Sequence, residues 1–154
     1  MTDDEGRVAR RTPEGELIEW VAVPPRAAEL ELEPHPEGGW YRRTWTAPVE
    51  VAAHGGVRPA ATMILFLLPV GESSAWHVVT SDEIWLWHGP GAVRVQFGGD
   101  GEGPQDGPTH TLDAGSPQVL VPAGTWQRTI PAAEEALVSC VVSPGFSFED
   151  FTLA

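Results

Sequence analysis

The stretch Gly71–Gly89, GESSAWHVVTSDEIWLWHG, decides the fold. It reads as two short apolar strands joined by a polar turn, with β-branched and aromatic residues on either side of Thr80-Ser81-Asp82. In a strand, residues of equal parity share a face. His77 and Val79 therefore share one face of the first strand, and Glu83, Trp85 and Trp87 share one face of the second. If those faces look inward, a histidine and a carboxylate meet in an apolar interior, where either charge alone is costly. The segment holds either a polar core pair or a site.

Outward from this stretch, the same kind of signal continues. Short apolar runs broken by Gly, Pro and Asp predict strands over 40–45, 62–68, 75–79, 83–87, 92–96, 110–112, 118–121, 127–130 and 137–143. Gly98–Pro108 is a glycine-rich loop, and Pro34-His35-Pro36-Glu37-Gly38-Gly39 is a turn that ends whatever precedes it. The runs MILFLL and VLV leave little polar face, which predicts burial on both sides and a closed all-β barrel or sandwich. Residues 1–16 are charged and lack apolar periodicity, so they read as a flexible arm, with 17–154 forming a single domain. Leu17–Leu32, interrupted by Pro24-Pro25, is compatible with one or two short helical turns.

Composition narrows the partners. Acidic residues outnumber basic ones 22 to 9, and the formal charge of −13 repels phosphate backbones and anionic membrane surfaces. The expectation is a small-molecule partner, with neither nucleic acid nor membrane. The single cysteine, Cys140, lies in the apolar run LVSCVV, so no intramolecular disulfide forms and the thiol reads as core. No apolar leader or membrane-length run is present, and a cytoplasmic location is expected.

Gly71, His77, Val79, Glu83 and Gly89 together resemble the first cupin motif, and Gly115, Pro122, Gly124 and Gln127 resemble the second. The usual form has histidines where Val79 and Gln127 stand. More narrowly, HPEGGWYRRTW, TMILFLLP, SAWHVVTSDEIWLWHG, VPAGTWQ and VSPGFSFEDF are similar to the cupin family five proteins (domain of unknown function 985) over roughly residues 30–154. The resemblance implies a double-stranded β-helix, the jelly-roll cupin barrel related to sugar-nucleotide 3,5-epimerases, assembled as a homodimer. The family often has an acid where Arg43 stands.

With two of four ligand positions changed, the expectation is no cofactor. A metal, if present, would fall to His77, Glu83 and Gln127, of which Gln127 is a weak neutral oxygen ligand. The alternative chemistry is a general acid/base pair of His77 and Glu83, in which the carboxylate fixes the imidazole tautomer. Trp85, Trp87 and Trp126 are expected to wall a pocket and Gln127 to donate its amide to a substrate oxygen. Met63, Leu65, Ser74 and Arg42 are further candidates for substrate contact. Arg43, of opposite parity to Arg42, is expected to face solvent, and His35, His54, His88 and His110 read as surface histidines. This constellation suits a metal-independent, non-oxidative isomerase, epimerase, lyase or cyclase acting on a partly apolar metabolite, as in natural-product biosynthesis. The alternatives are a non-catalytic binding module and a metal-dependent cupin with reduced ligation.

Overall fold

The computed structural model describes residues 2–154. In chain order it forms β1 (Val8–Arg11), β2 (Leu17–Val21), α1 (Pro25–Glu29), β3 (Glu33–Pro34), β4 (Trp40–Thr46), β5 (Glu50–Ala53), β6 (Gly56–Pro59) and β7 (Thr62–Leu68). There follow β8 (His77–Val79), β9 (Asp82–Pro90), β10 (Val93–Phe97), β11 (Thr109–Leu112), β12 (Gln118–Val121), β13 (Gln127–Thr129), β14 (Ala136–Ser143), a 3-10 turn at Phe148–Asp150, and β15 (Phe151–Leu153). Two antiparallel sheets build the barrel, one in the order β11-β10-β13-β8-β15 and one in the order β12-β9-β14-β7-β4-β3. The all-β jelly-roll architecture expected of the chain is the one it adopts.

β7 shows why a continuous apolar run sits at the centre of a sheet. Phe66 and Leu68 enter the main core with Trp85, Val95, Leu112 and Val138, while Leu65 and Leu67 pack on the other face with Ala27, Leu32 and Trp40. Burial on both sides removes the polar alternation of a half-exposed strand. The run VLV behaves differently: on β12, at the edge of its sheet, Val121 is buried but Leu120 is 53% exposed.

The N-terminal segment departs from the flexible arm expected of it. β1 pairs with β2 in an antiparallel hairpin, and Arg10 is buried. Its guanidinium donates to the carbonyls of His35 (2.5 Å) and Gly39 (2.8 Å) and pairs with Glu19 and Glu72. A charge that looked solvated in the sequence is satisfied by backbone carbonyls from a distant turn, which no local pattern announces. Of the helical turns expected over 17–32 only α1 forms, since β-branched and aromatic residues of Leu17–Val21 enter the hairpin. The hairpin of β5 and β6, and β15, lay outside the predicted strands.

Candidate functional site

One end of the barrel opens into a cavity of about 250 Å³. His77 and Val79 of β8 line it together, as their shared parity requires, and Glu83 reaches it from β9 in the opposite sheet. Gln127 stands opposite His77 across the β8–β13 pair, so the two motif halves do meet. What joins them is a chain of hydrogen bonds. Trp85 Nε1 donates to Gln127 Oε1 (3.0 Å), and Gln127 Nε2 donates to Glu83 Oε1 (2.7 Å). Because an indole N–H can only donate, Trp85 orients the amide so that its NH2 faces Glu83.

The partner of His77 is not the expected one. Its Nε2 lies 2.6 Å from Oε2 of Glu37, a residue of the His35–Gly39 turn, and its Nδ1 donates to the carbonyl of Ala75 (2.8 Å). The His77–Glu83 pairing read from the strands is thus replaced by His77–Glu37, with Glu83 a separate carboxylate in the same cavity. The turn is held against β8 by several contacts. Glu37 O accepts from Ala75 N (2.6 Å), Glu37 N donates to His35 Nδ1 (3.2 Å), and Arg10 grips the turn at both ends. Gly38 has φ +111°, and a Cβ there would lie 2.1 Å from Ser73 O, so this close approach requires glycine.

Charge in the site follows from this geometry. Burial works against the His77 imidazolium, but the charge and hydrogen bonding of Glu37, helped by Glu83, hold its pKa up at about 8. Burial raises Glu37 in turn, yet His77 and His35 outweigh it and keep this carboxyl below the ordinary value. Burial and the charge of Glu37 push Glu83 up to about 7, against the smaller opposing effects of His77 and Gln127. Burial also drives His35 down to about 4, so it is neutral near pH 7. Since His35 Nδ1 accepts from Glu37 N, its proton is on Nε2, which donates to no protein group among the described residues. Near neutrality the cavity holds an ion pair, a neutral imidazole donor and a carboxyl poised to lose or gain a proton.

The remaining candidates lie where parity and packing put them. Trp85 is in the core beneath the cavity, Trp87 donates to Gly91 O, and Trp126 donates to Gly101 O and braces the glycine-rich loop. None of the three lines the cavity. Met63 and Leu65 face outward from β7, where Thr62 and Ile64 supply the lining instead. Ser74 is buried in a reciprocal pair with Thr129, its N–H donating to Thr129 Oγ1 and its Oγ accepting from Thr129 N. Arg42 is exposed and donates to Leu30 O, whereas Arg43 reaches the cavity and donates to Phe146 O. Arg42 is thus absent from the cavity where it was expected, while Arg43, exposed as expected, also contributes to the cavity lining. His54, His88 and His110 are exposed as expected, but His35 is buried in the site.

Sequence reasoning missed His35, Glu37, Arg43 and the phenylalanines Phe146, Phe148 and Phe151. The HPEGG turn did carry a signal, a His-x-Glu pair beside a double glycine. Cys140 lines the cavity as well, and burial raises its thiol pKa well above the ordinary value, so it stays protonated.

The donor set does not fit a metal. Val79 supplies no donor, the Gln127 oxygen is turned to Trp85, and both nitrogens of His77 are engaged by Glu37 and Ala75. Among the described residues no group of three or more His, Cys, Asp or Glu is arranged to hold one. No helix is long and apolar enough to cross a membrane.

The family model described as Cupin superfamily (DUF985) matches residues 26–154. Among solved structures, a protein from Shewanella oneidensis is 36% identical, with a TM-score of 0.69 and coverage of 84% of this chain and 82% of that one. A hypothetical protein from Leishmania major is 29% identical, with a TM-score of 0.72, covering 83% and 84%. An oxalate decarboxylase variant from B. subtilis shares the fold at 19% identity, with a TM-score of 0.55 over 77% of this chain and 29% of that one. No curated protein matches by sequence.

Proposed function

The chain belongs to the cupin superfamily, in the family DUF985, and on that premise we propose that its barrel is a non-oxidative enzyme site that moves a proton on a small, partly apolar metabolite. The reading is carried by Glu83, a cavity carboxyl whose pKa of about 7 lets it both take and return a proton at neutral pH. This matches an isomerase, epimerase, lyase or cyclase.

The roles follow from the contacts. The Glu83 carboxylate accepts a proton from an acidic C–H of the substrate, and the electron pair left on carbon passes into an adjacent carbonyl. His35, neutral and with a free Nε2–H, is the donor for the oxygen on which that charge develops. The His77 imidazolium stays locked between Glu37 and Ala75 and supplies fixed positive charge rather than a mobile proton. Gln127 positions Glu83 by donating to one carboxylate oxygen, which leaves the other for the substrate. Glu83 then returns its proton to carbon, and no oxidant takes part.

Deuterium exchange tests this. A panel of small carbonyl compounds bearing an acidic C–H is incubated with the protein in D2O and the C–H signal is followed by proton NMR. The parent protein is expected to wash deuterium into at least one compound. Glu83→Gln should slow that exchange by at least about 100-fold, the scale of a general acid/base contribution. Equal exchange in both proteins would remove Glu83 from the chemistry.

A further inference from the structure

We infer that the cavity takes a small monocarboxylate with an aromatic or branched apolar body, its carboxylate held at the mouth by Arg43. This rests on the proton-transfer reading for one point, that the reacting carbon is directed inward to Glu83.

Three observations on the cavity wall carry it. The first is the arginine. Arg43 Nη2 donates to Phe146 O (2.9 Å), which fixes the guanidinium at the rim, and no carboxylate pairs with it among the described residues. Its Nε and Nη1 donate to no protein group there. An anchored planar fork with a free edge matches a carboxylate, which it can hold through two parallel hydrogen bonds.

The second is the division of the lining into ends. Phe146, Phe148 and Phe151 pack edge to face, with ring centroids 4.9–6.0 Å apart, and Phe151 also stacks on His77 at 5.6 Å. Phe146, whose carbonyl holds Arg43, packs on Phe148 and Phe151, which lie against His35 and His77, and with Ile64, Val79 and Val142 these rings make up the apolar part of the lining. A ligand that satisfies both ends has one charged head and an apolar body. A second carboxylate would be driven against Glu37, a buried anion whose charge is already taken up by His77, so a dicarboxylate is disfavoured.

The third is size. A volume of about 250 Å³ falls below the roughly 300–1,000 Å³ of pockets for drug-sized ligands. One ring with a short chain fills it. The counter-charge at the rim is Glu33, which is exposed and acts on the hydroxyl of Tyr41. A cation would have to bind there in water-screened surroundings, next to Arg43.

Calorimetric titration with three shape-matched probes decides between these heads: 3-phenylpropionate, 3-phenylpropionamide and 3-phenylpropylammonium. The carboxylate is expected to bind the parent protein saturably and at least about tenfold more tightly than the other two. Arg43→Met should weaken it about tenfold or more while leaving the amide unchanged, and Arg43→Lys, which keeps the charge but loses the fork, should fall between. Arg43 is exposed, and urea unfolding of both variants confirms that binding, not folding, is being read. The inference is overturned if the amide or the ammonium binds as tightly as the carboxylate, if Arg43→Met binds unchanged, or if no probe saturates. Binding is read here without turnover. Carboxylate binding without deuterium exchange therefore overturns the proton-transfer reading alone, and exchange with binding indifferent to Arg43 overturns this inference alone.

Discussion

Glu83→Gln should stabilise the protein at neutral and alkaline pH even as it removes the proton-transfer group. The Glu83 carboxyl has an ordinary pKa of 4.5 in the unfolded chain and about 7 in the barrel, because burial and the nearby Glu37 charge oppose its ionisation. Between those values the folded state binds a proton that the unfolded state has released, so stability falls as pH rises. At about 1.4 kcal/mol per pH unit, the fold loses roughly 3 kcal/mol across the window. A glutamine fills the same volume, can accept the Gln127 hydrogen bond through its carbonyl oxygen, and carries no charge to bury. His77 also loses stability with rising pH, its contribution being complete below 6.5 and gone above about 8, whereas His35 loses stability as pH falls from 6.5 towards 4. Both groups are present in parent and variant, and because the Glu83 charge also helps to hold His77 protonated, the difference between the profiles reads Glu83 together with its coupling to His77. Urea unfolding followed by tryptophan fluorescence should show the advantage of the variant growing by about 2.5 kcal/mol from about pH 5 to about pH 8. Parallel pH profiles would mean that Glu83 ionises as an ordinary carboxyl, and the argument for its role would fail with it.

Two further outcomes follow from the same geometry. Glu37→Gln removes the principal charge that holds His77 protonated, so the His77 pKa should drop from about 8 to below 6.5, read from the imidazole C–H shifts by NMR; a value still near 8 would deny Glu37 that role. Arg10→Met deletes two charge-assisted hydrogen bonds from a buried guanidinium to the His35 and Gly39 carbonyls, each worth roughly 1.5–3 kcal/mol, and should cost about 3 kcal/mol in urea unfolding while shifting the His77 titration. Arg10→Lys should recover only part of this, since an ammonium lacks the planar fork. A loss under about 0.5 kcal/mol would mean that the N-terminal hairpin does not clamp the turn.

Local pattern in the sequence was enough for the central barrel strands and their faces, though not for the N-terminal hairpin, the β5–β6 hairpin or β15. Period-two alternation placed His77 with Val79, and Glu83 with Trp85, before any fold was in hand, because the pleat of a strand is a local property. The double-sided burial of β7 was legible for the same reason. Tertiary structure decided everything that depends on which distant segments touch. Glu37 takes His77 from Glu83 because a glycine turn 40 residues earlier in the chain is pressed onto β8 by Arg10, itself a residue that local charge pattern assigned to solvent. The choice of Arg42 over Arg43 for the pocket had no firm ground in the sequence, since parity separates the two but does not say which face of β4 meets the barrel mouth. The stretch Gly71–Gly89 supplies a histidine and a carboxylate to one cavity. Their partners, and so their charges, come from elsewhere in the fold.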